Sequence, residues 1–339
     1  MKFLAFTLVF IVANLPSLYA QTILADGEQP QVAVDNEGVV RLVYGKRDQI
    51  FFSSSNDNGK TFTRAVLVAH VPEMHLGMTR GPQLASSKDY SMVTAMDKKG
   101  NTNCFRLDHK SGKWTKIKNV NDVDGSAPEA LMSLAADDNN NFYAVWLDLR
   151  LGQKNNICFA TLKGNKEWST NKFAYMSPES HVCECCKPSV QVNGNTVVVM
   201  FRNWLKGSRD LYLTISKDKG KNFGPAQKLG NGTWPLKGCP MDGGGLSLNG
   251  TTIETAWQRE GIVYYVQPGQ QEQKIGEGRR VGMKGNIVTW ETGSDLMVHR
   301  LNEQTTLIGQ GTALSVVELS DKTMLAIWEK NGEVVVKTE

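Results

Sequence analysis

Short apolar runs recur along the chain, each rich in β-branched or aromatic residues and bounded by Gly, Asn or Asp. They read VVRLVY at Val39 to Tyr44, SMVTAM at Ser91 to Met96, FYAVW ending at Trp146, and VVVMF ending at Phe201. The series continues with IETAW ending at Trp257, NIVTW ending at Trp290 and MLAIW ending at Trp328. That composition and bounding is the strand signal, and no amphipathic helix of useful length interrupts it. Each run is the second strand of a repeated unit: short apolar strand, turn, strand ending in an aromatic, polar loop, third strand, Gly-rich turn. Seven such units, spaced by roughly 33 to 56 residues, predict four-stranded blades arranged around an axis, a β-propeller. A blade cannot bury both faces alone, so it must stack on its neighbours and the ring must close. After Trp328 and the turn EKNG only EVVVKTE remains, one more strand. The last blade then lacks an outer strand, which Thr22-Ile23-Leu24-Ala25 can supply. Six blades is the alternative, because the unit around Trp290 is short.

Composition narrows the function classes. The 339 residues carry 38 Lys plus Arg against 34 Asp plus Glu, a net charge of +4. That balance lacks the basic face of a dedicated nucleic-acid binder. A hydrophobic fraction of 40% supports a large core, and a coiled coil or collagen-like fibre is excluded. No apolar run after residue 20 approaches the ~20 residues of a membrane-spanning helix. Before that point, Met1-Lys2, the apolar stretch FLAFTLVFIVANL and Pro16 to Ala20 form a signal-peptide pattern with cleavage after Ala20. Residues 1–20 are therefore expected to be a leader and 21–339 a single propeller. The destination is the periplasm, cell surface or medium, where disulfides persist.

Two turns narrow the fold further. Ser55-Asn56-Asp57-Asn58-Gly59-Lys60-Thr61-Phe62 and Ser216-Lys217-Asp218-Lys219-Gly220-Lys221-Asn222-Phe223 share the form S-x-D-x-G-x-x-aromatic. The Asp (Asp57, Asp218) accepts hydrogen bonds from turn backbone, the Gly (Gly59, Gly220) supplies positive φ, and the aromatic (Phe62, Phe223) packs into the blade. These turns resemble the Asp-boxes, or BNR repeats, of the sialidase-like propellers. A degenerate copy runs from Lys163 to Trp168. Asp-boxes are structural, so the resemblance supports a fold and leaves activity open.

Sialidases of that family clamp a substrate carboxylate with three arginines and add a Tyr–Glu nucleophile pair and an acid/base Asp. The first arginine normally lies in an R-I-P motif, which is absent here: Arg41 and Arg47 precede no Ile-Pro. Arg80, Arg150, Arg202 and Arg209 lie where loops can reach the central funnel, and Asp148 can pair with Arg150. Tyr264 or Tyr265 can supply a phenol, but no Glu stands beside them in the sequence. The catalytic set is thus incomplete. If the chain is an enzyme, the resemblance implies an exo-sialidase-like glycoside hydrolase. The broader expectation is a glycan or other anionic ligand at the funnel.

The six cysteines are of two kinds. Cys104 and Cys158 hold similar places in the third strands of adjacent units, as a disulfide or as two core thiols. His181-Val182-Cys183-Glu184-Cys185-Cys186 precedes the first strand of the fourth unit, and Gly238-Cys239-Pro240-Met241 that of the fifth. First strands line the channel, so Cys183, Cys185, Cys186 and Cys239 should converge at one end of the ring. The C-E-C-C segment with the later C-P is also similar to that of a subset of secreted bacterial sialidase-like propellers. His75 and Met78 lie at the matching position of the second unit. Thiolate, thioether and imidazole together suit copper, and two or three thiolates with His181 suit zinc. Disulfide staples in a binding scaffold, a soft-metal site and a reactive thiol are the three readings.

Overall fold

The computed structural model describes residues 21–339 except 153. The signal-peptide reading falls on residues 1–20, outside the described residues. All secondary structure among the described residues is β-strand, in seven antiparallel four-stranded sheets. Strand β1 (Thr22–Asp26) precedes the first blade, which holds β2 (Glu28–Val34), β3 (Val40–Lys46), β4 (Gln49–Ser55) and β5 (Val66–His70). Blade 2 holds β6 (Gln83–Ser86), β7 (Tyr90–Met96), β8 (Thr102–Asp108) and β9 (Lys113–Ile117). Blade 3 holds β10 (Met132–Ala136), β11 (Asn141–Asp148), β12 (Asn156–Lys163) and β13 (Lys172–Tyr175). Blade 4 holds β14 (Ser189–Asn193), β15 (Thr196–Arg202), β16 (Leu211–Ser216) and β17 (Gln227–Lys228). Blade 5 holds β18 (Gly245–Asn249), β19 (Thr252–Arg259), β20 (Ile262–Val266) and β21 (Gln273–Glu277). Blade 6 holds β22 (Arg279–Lys284), β23 (Ile287–Thr292), β24 (Asp295–Arg300) and β25 (Thr305–Gln310). Blade 7 holds β26 (Thr312–Glu318), β27 (Met324–Lys330) and β28 (Glu333–Thr338), completed on its outside by β1.

The unit around Trp290 is therefore a full blade, and the count is seven. Closure is by the N-terminal strand: Thr22 pairs with Val336 and Asp26 with Glu333. The innermost strands β2, β6, β10, β14, β18, β22 and β26 each contact the next, and β26 contacts β2. Serine side chains stitch several of these contacts. Ser133 Oγ donates to the Pro188 carbonyl at 2.7 Å, Ser189 Oγ to that of Gly244 at 3.1 Å, and the Val32 amide donates to Ser315 Oγ at 3.2 Å. The spacing is tight enough that a Cβ on Gly243 would strike the Lys187 backbone, and one on Gly245 that of Met283.

The core lies between blades. Trp146, Trp257, Trp290 and Trp328 end second strands and are buried, each in a separate apolar cluster. A tryptophan burying ~200 Å² contributes about 5 kcal/mol at ~25 cal/mol/Å². Cys104 and Cys158 are free and buried in one cluster spanning blades 2 and 3. Burial pushes the Cys104 thiol up to about 12 and raises Cys158 as well, so both pack as neutral apolar groups.

The two Ser–Asp–Gly turns join third and fourth strands in blades 1 and 4. Ser55 Oγ donates to Asp57 at 2.6 Å and accepts from the Gly59 amide at 2.9 Å, while the Thr61 amide donates to Asp57 at 2.9 Å. Ser216, Asp218, Gly220 and Asn222 repeat this at 2.7, 2.8 and 2.8 Å. Phe62 and Phe223 pack against the clusters beneath.

Candidate functional site

The first strands all start at one end of the channel, and their starts are unusual. Gln29, Arg280 and Ala313, each the second residue of β2, β22 and β26, have φ of 53, 54 and 56°. The register slips at the same places. Ala130 and Met241, just before β10 and β18, share that conformation. Left-handed non-glycine residues cost free energy and concentrate where a structure positions function. Here the bulges turn side chains and amides toward the channel mouth.

The cavity at this mouth has a volume of about 260 Å³ and takes polar side chains from successive blades, among them Gln29, Gln83, Lys187, Asp242, Arg280 and Glu291. Lys187 is enclosed by protein but open to the channel. Its Nζ donates to Gln83 Oε1 at 2.5 Å, and desolvation lowers its pKa to about 8. Asp242 is only 4% exposed. Burial raises its pKa, although its carboxylate accepts the Arg280 amide at 2.7 Å and the Gly244 amide at 3.3 Å. Glu291 accepts Arg280 Nη1 at 2.6 Å and the Ala313 amide at 3.0 Å. In the loop before β10, outside the cavity lining, burial raises the Glu129 pKa, Arg80 opposes that shift, and Glu184 adds to it. The arrangement offers donors and acceptors of both charges in a partly desolvated ring. A larger hollow of about 700 Å³ opens near Asn249, Asn286 and Lys322. It is framed by hairpin turns between first and second strands and shares Lys284, at the far end of β22, with the central cavity.

The arginines read from the sequence do not form a clamp at this cavity. Arg202 is 1% exposed, and its guanidinium donates to the carbonyls of Asp242, Arg209 and Gln258 at 3.0, 2.8 and 3.0 Å. It holds backbone and has no donor turned to a ligand. Arg209 donates to the Leu236 carbonyl at 3.2 Å and to Cys183 Sγ at 3.0 Å, stacked over Trp204. Arg150 grips Asp148 and Asp122 at 2.7 Å each. Asp148 is buried and also accepts Trp146 Nε1 at 2.8 Å. That pair is thus neither on the surface nor channel-facing: it fastens a blade-3 loop. Arg80 donates to the Glu129 carbonyl at 2.8 Å. A Tyr–Glu pair does form, since Tyr265 Oη donates to Glu254 at 3.0 Å and its pKa rises to about 12. It sits between the second and third strands of blade 5, off the channel lining. The tight β19–β20 hairpin was the signal that could have placed Glu254 beside Tyr265.

Beside the mouth, at the seam of blades 4 and 5, four cysteines meet. Cys185 and Cys239 form a disulfide with Cα atoms 6.4 Å apart. Cys183 Sγ lies 3.3 Å from that of Cys186 and 3.8 Å from that of Cys185, and Cys185 lies 3.9 Å from Cys186. Cys183 and Cys186 are buried. A hydrogen bond from Cys186, with the charges of Arg209 and Arg202, lowers Cys183 to about 6, while burial raises Cys186. Among the described residues, these three cysteines are the His/Cys/Asp/Glu group with ligand atoms close enough to share a cation. His181 is not in it: its Nδ1 contacts the Glu179 carbonyl and its ring stacks on Trp204. Met241 lines the central cavity, and Met78 with Thr79 borders a smaller hollow at the rim. His75, whose pKa burial lowers, sits in the same blade-2 loop as Met78.

No family model matches the chain, and no curated protein does. Solved structures do resemble it. The Penicillium chrysogenum α-L-arabinanase complexed with arabinobiose is 13% identical, with a TM-score of 0.54 over 96% of this chain and 95% of that one. An ulvan lyase bound to a GlcA–Rha3S repeat is 10% identical, with a TM-score of 0.54 over 94% and 95%. The β-propeller domain of the Trilobed protease from Pyrococcus furiosus is 13% identical, with a TM-score of 0.52 over 92% and 95%. At such identities the likeness shows a shared fold.

Proposed function

We propose that this chain is an exported propeller that binds or processes a glycan at the mouth of its central channel. The observation that carries the reading is the polar ring of Gln29, Gln83, Lys187, Asp242, Arg280 and Glu291 around a cavity of about 260 Å³. Sugars present many hydroxyls and often a carboxylate or sulfate. A pocket recognises them with a few fixed donors and acceptors in a partly dry hollow. Lys187 and Arg280 suit an acidic sugar. Support also comes from the fold: two of the similar structures are an arabinanase and a polysaccharide lyase. The Asp-box turns support a sialidase-like grouping, and the leader pattern supports export. The cavity falls just below the range of a drug-sized site, so one sugar unit, rather than a chain, would occupy it.

The test is calorimetric titration with arabino-oligosaccharides, sialosides and sulfated uronate oligosaccharides, with product analysis of each mixture. Binding of at least one class, weakened tenfold or more by Gln83→Ala and Lys187→Met, is the expected result. Absence of millimolar binding to every class, or binding indifferent to both substitutions, would refute the reading.

A further inference from the structure

The sulfur cluster has dimensions that disulfide stapling alone does not require. In a tetrahedral site with metal–sulfur bonds of ~2.3 Å, neighbouring sulfurs stand about 3.8 Å apart. The Sγ separations among Cys183, Cys185 and Cys186 are 3.3, 3.8 and 3.9 Å. They outline one face of such a tetrahedron, and Cys239 is tied to one corner of that face through its bond to Cys185. Elsewhere in the chain buried cysteine behaves differently: Cys104 and Cys158 sit within an apolar cluster. Here an N–H group points at sulfur instead. Arg209 Nη1 donates to Cys183 Sγ at 3.0 Å, and the Asp242 backbone lies beside Cys186. Such a donor orients a thiolate ligand and offsets its charge. The seam is reachable from outside, since Cys239 is exposed and Cys185 partly so.

We infer that this seam is a binding site for a thiophilic d¹⁰ cation, Cu(I) or Zn(II), gated by the Cys185–Cys239 disulfide. With the disulfide closed, the site offers the two thiols of Cys183 and Cys186, too few for a tetrahedral cation. A dithiol reductant supplies two electrons and two protons. The Cys185–Cys239 bond breaks, two thiols form, and the reductant closes into its own cyclic disulfide. The cation then takes Cys183, Cys185 and Cys186, with the fourth position filled by Cys239 or water, and each coordinating thiol releases its proton. A cation that needs three or more sulfurs and the disulfide therefore exclude one another. The ligand set is wholly sulfur, which favours soft cations over Mg(II) or Ca(II).

Native mass spectrometry of the full chain tests this, with Cu(I) and Zn(II) added anaerobically in separate arms. Oxidised protein should take up less than a tenth of an equivalent of Zn(II). Protein reduced with dithiothreitol, then freed of it by gel filtration, should take up one equivalent of at least one cation. Cys239→Ser, which cannot close the disulfide, should load without reduction. Cys183→Ser should weaken loading by about 100-fold. Co(II) substitution should give the visible bands of a sulfur-rich tetrahedral site in the reduced protein only. Near-UV circular dichroism reports whether each variant is folded. The inference is overturned if reduced wild type and folded Cys239→Ser both fail to load either cation. It is equally overturned if loading ignores Cys183→Ser, or if the untreated protein shows two free thiols instead of four because Cys183 and Cys186 are themselves joined.

Discussion

Removing the Cys185–Cys239 cross-link should have a calculable effect on stability. The two residues are 54 apart in sequence. Closing a loop of that length removes about 14 cal/mol/K from the unfolded chain, or about 4 kcal/mol at 25 °C. The Cα separation of 6.4 Å lies within the range that disulfides span. Cys239 is exposed, so Cys239→Ser leaves no cavity and buries no new polar group. A chain of about 320 ordered residues has an unfolding entropy of about 0.7 kcal/mol/K, so the melting temperature should fall by about 6 °C. Differential scanning calorimetry in EDTA, which keeps metal out of the seam, measures this directly. Adding a reductant should bring the wild type down to the melting temperature of Cys239→Ser and leave that variant unmoved. A shift below about 1 °C would show that the cross-link contributes none of the expected constraint. A further drop of the variant under reductant would reveal a second disulfide and contradict the four free cysteines.

Other substitutions probe the mouth and the turns. Arg202→Met strips three carbonyls of their buried charged donor, and a shift in the urea midpoint equivalent to about 3–5 kcal/mol is expected. Gly243→Ala drives a Cβ into the Lys187 backbone and should cost about 3 kcal/mol in the same assay. Desolvation holds Lys187 near 8, below its ordinary 10.5. Its charge therefore opposes folding below about pH 8, and the penalty fades as pH rises toward 10.5; Lys187→Met should keep or raise the melting temperature at pH 7 while weakening binding of an acidic sugar. Side-chain hydrogen bonds from Ser55 and Thr61 hold Asp57 at about 2, and Ser216 and Asn222 do the same for Asp218. The folded values lie below the unfolded ones, so this stabilisation is complete above about pH 4 and is lost as pH falls toward 2. Asp57→Asn with Asp218→Asn should flatten that limb of a urea-midpoint profile between pH 2 and 6.

The architecture was legible because it is written in periodic positions. Each second strand, from Val40–Lys46 to Met324–Lys330, coincides with an apolar run read from the sequence, since alternation and bounding turns are local signals. The N-terminal closing strand was legible by subtraction, because the final unit lacked one strand. The short spacing before Trp290 left six blades open. Blade 6 resolves it with tight turns such as Gly285–Asn286 and no long loop. The chemistry of the mouth was much less legible. Lys187, Asp242 and Arg280 are single charged residues beside apolar strands, a pattern that usually marks a solvated surface. Arg202 reads as a loop charge because the groups that bury it, Asp242 and Gln258, are 40 and 56 residues away. Proximity in sequence also misleads: His181 is two residues from Cys183, yet it turns to stack on Trp204.

The channel and the sulfur seam share a wall, and that limits how independently each can change. Asp242 lines the cavity, its carbonyl is held by Arg202, and its backbone lies beside Cys186. Arg202 also holds the carbonyl of Arg209, whose guanidinium reaches Cys183. Both arginines are spent on backbone or sulfur, which leaves Lys187, Arg280 and Lys284 as the cations lining the cavity. The blades repeat their apolar interiors while diverging at the mouth: Gln29, Gln83, Lys187, Asp242 and Arg280 are chemically unlike residues in comparable places. Structural demands on a repeat are shared by every copy. The channel mouth carries no such shared demand, so each blade can place a different side chain there.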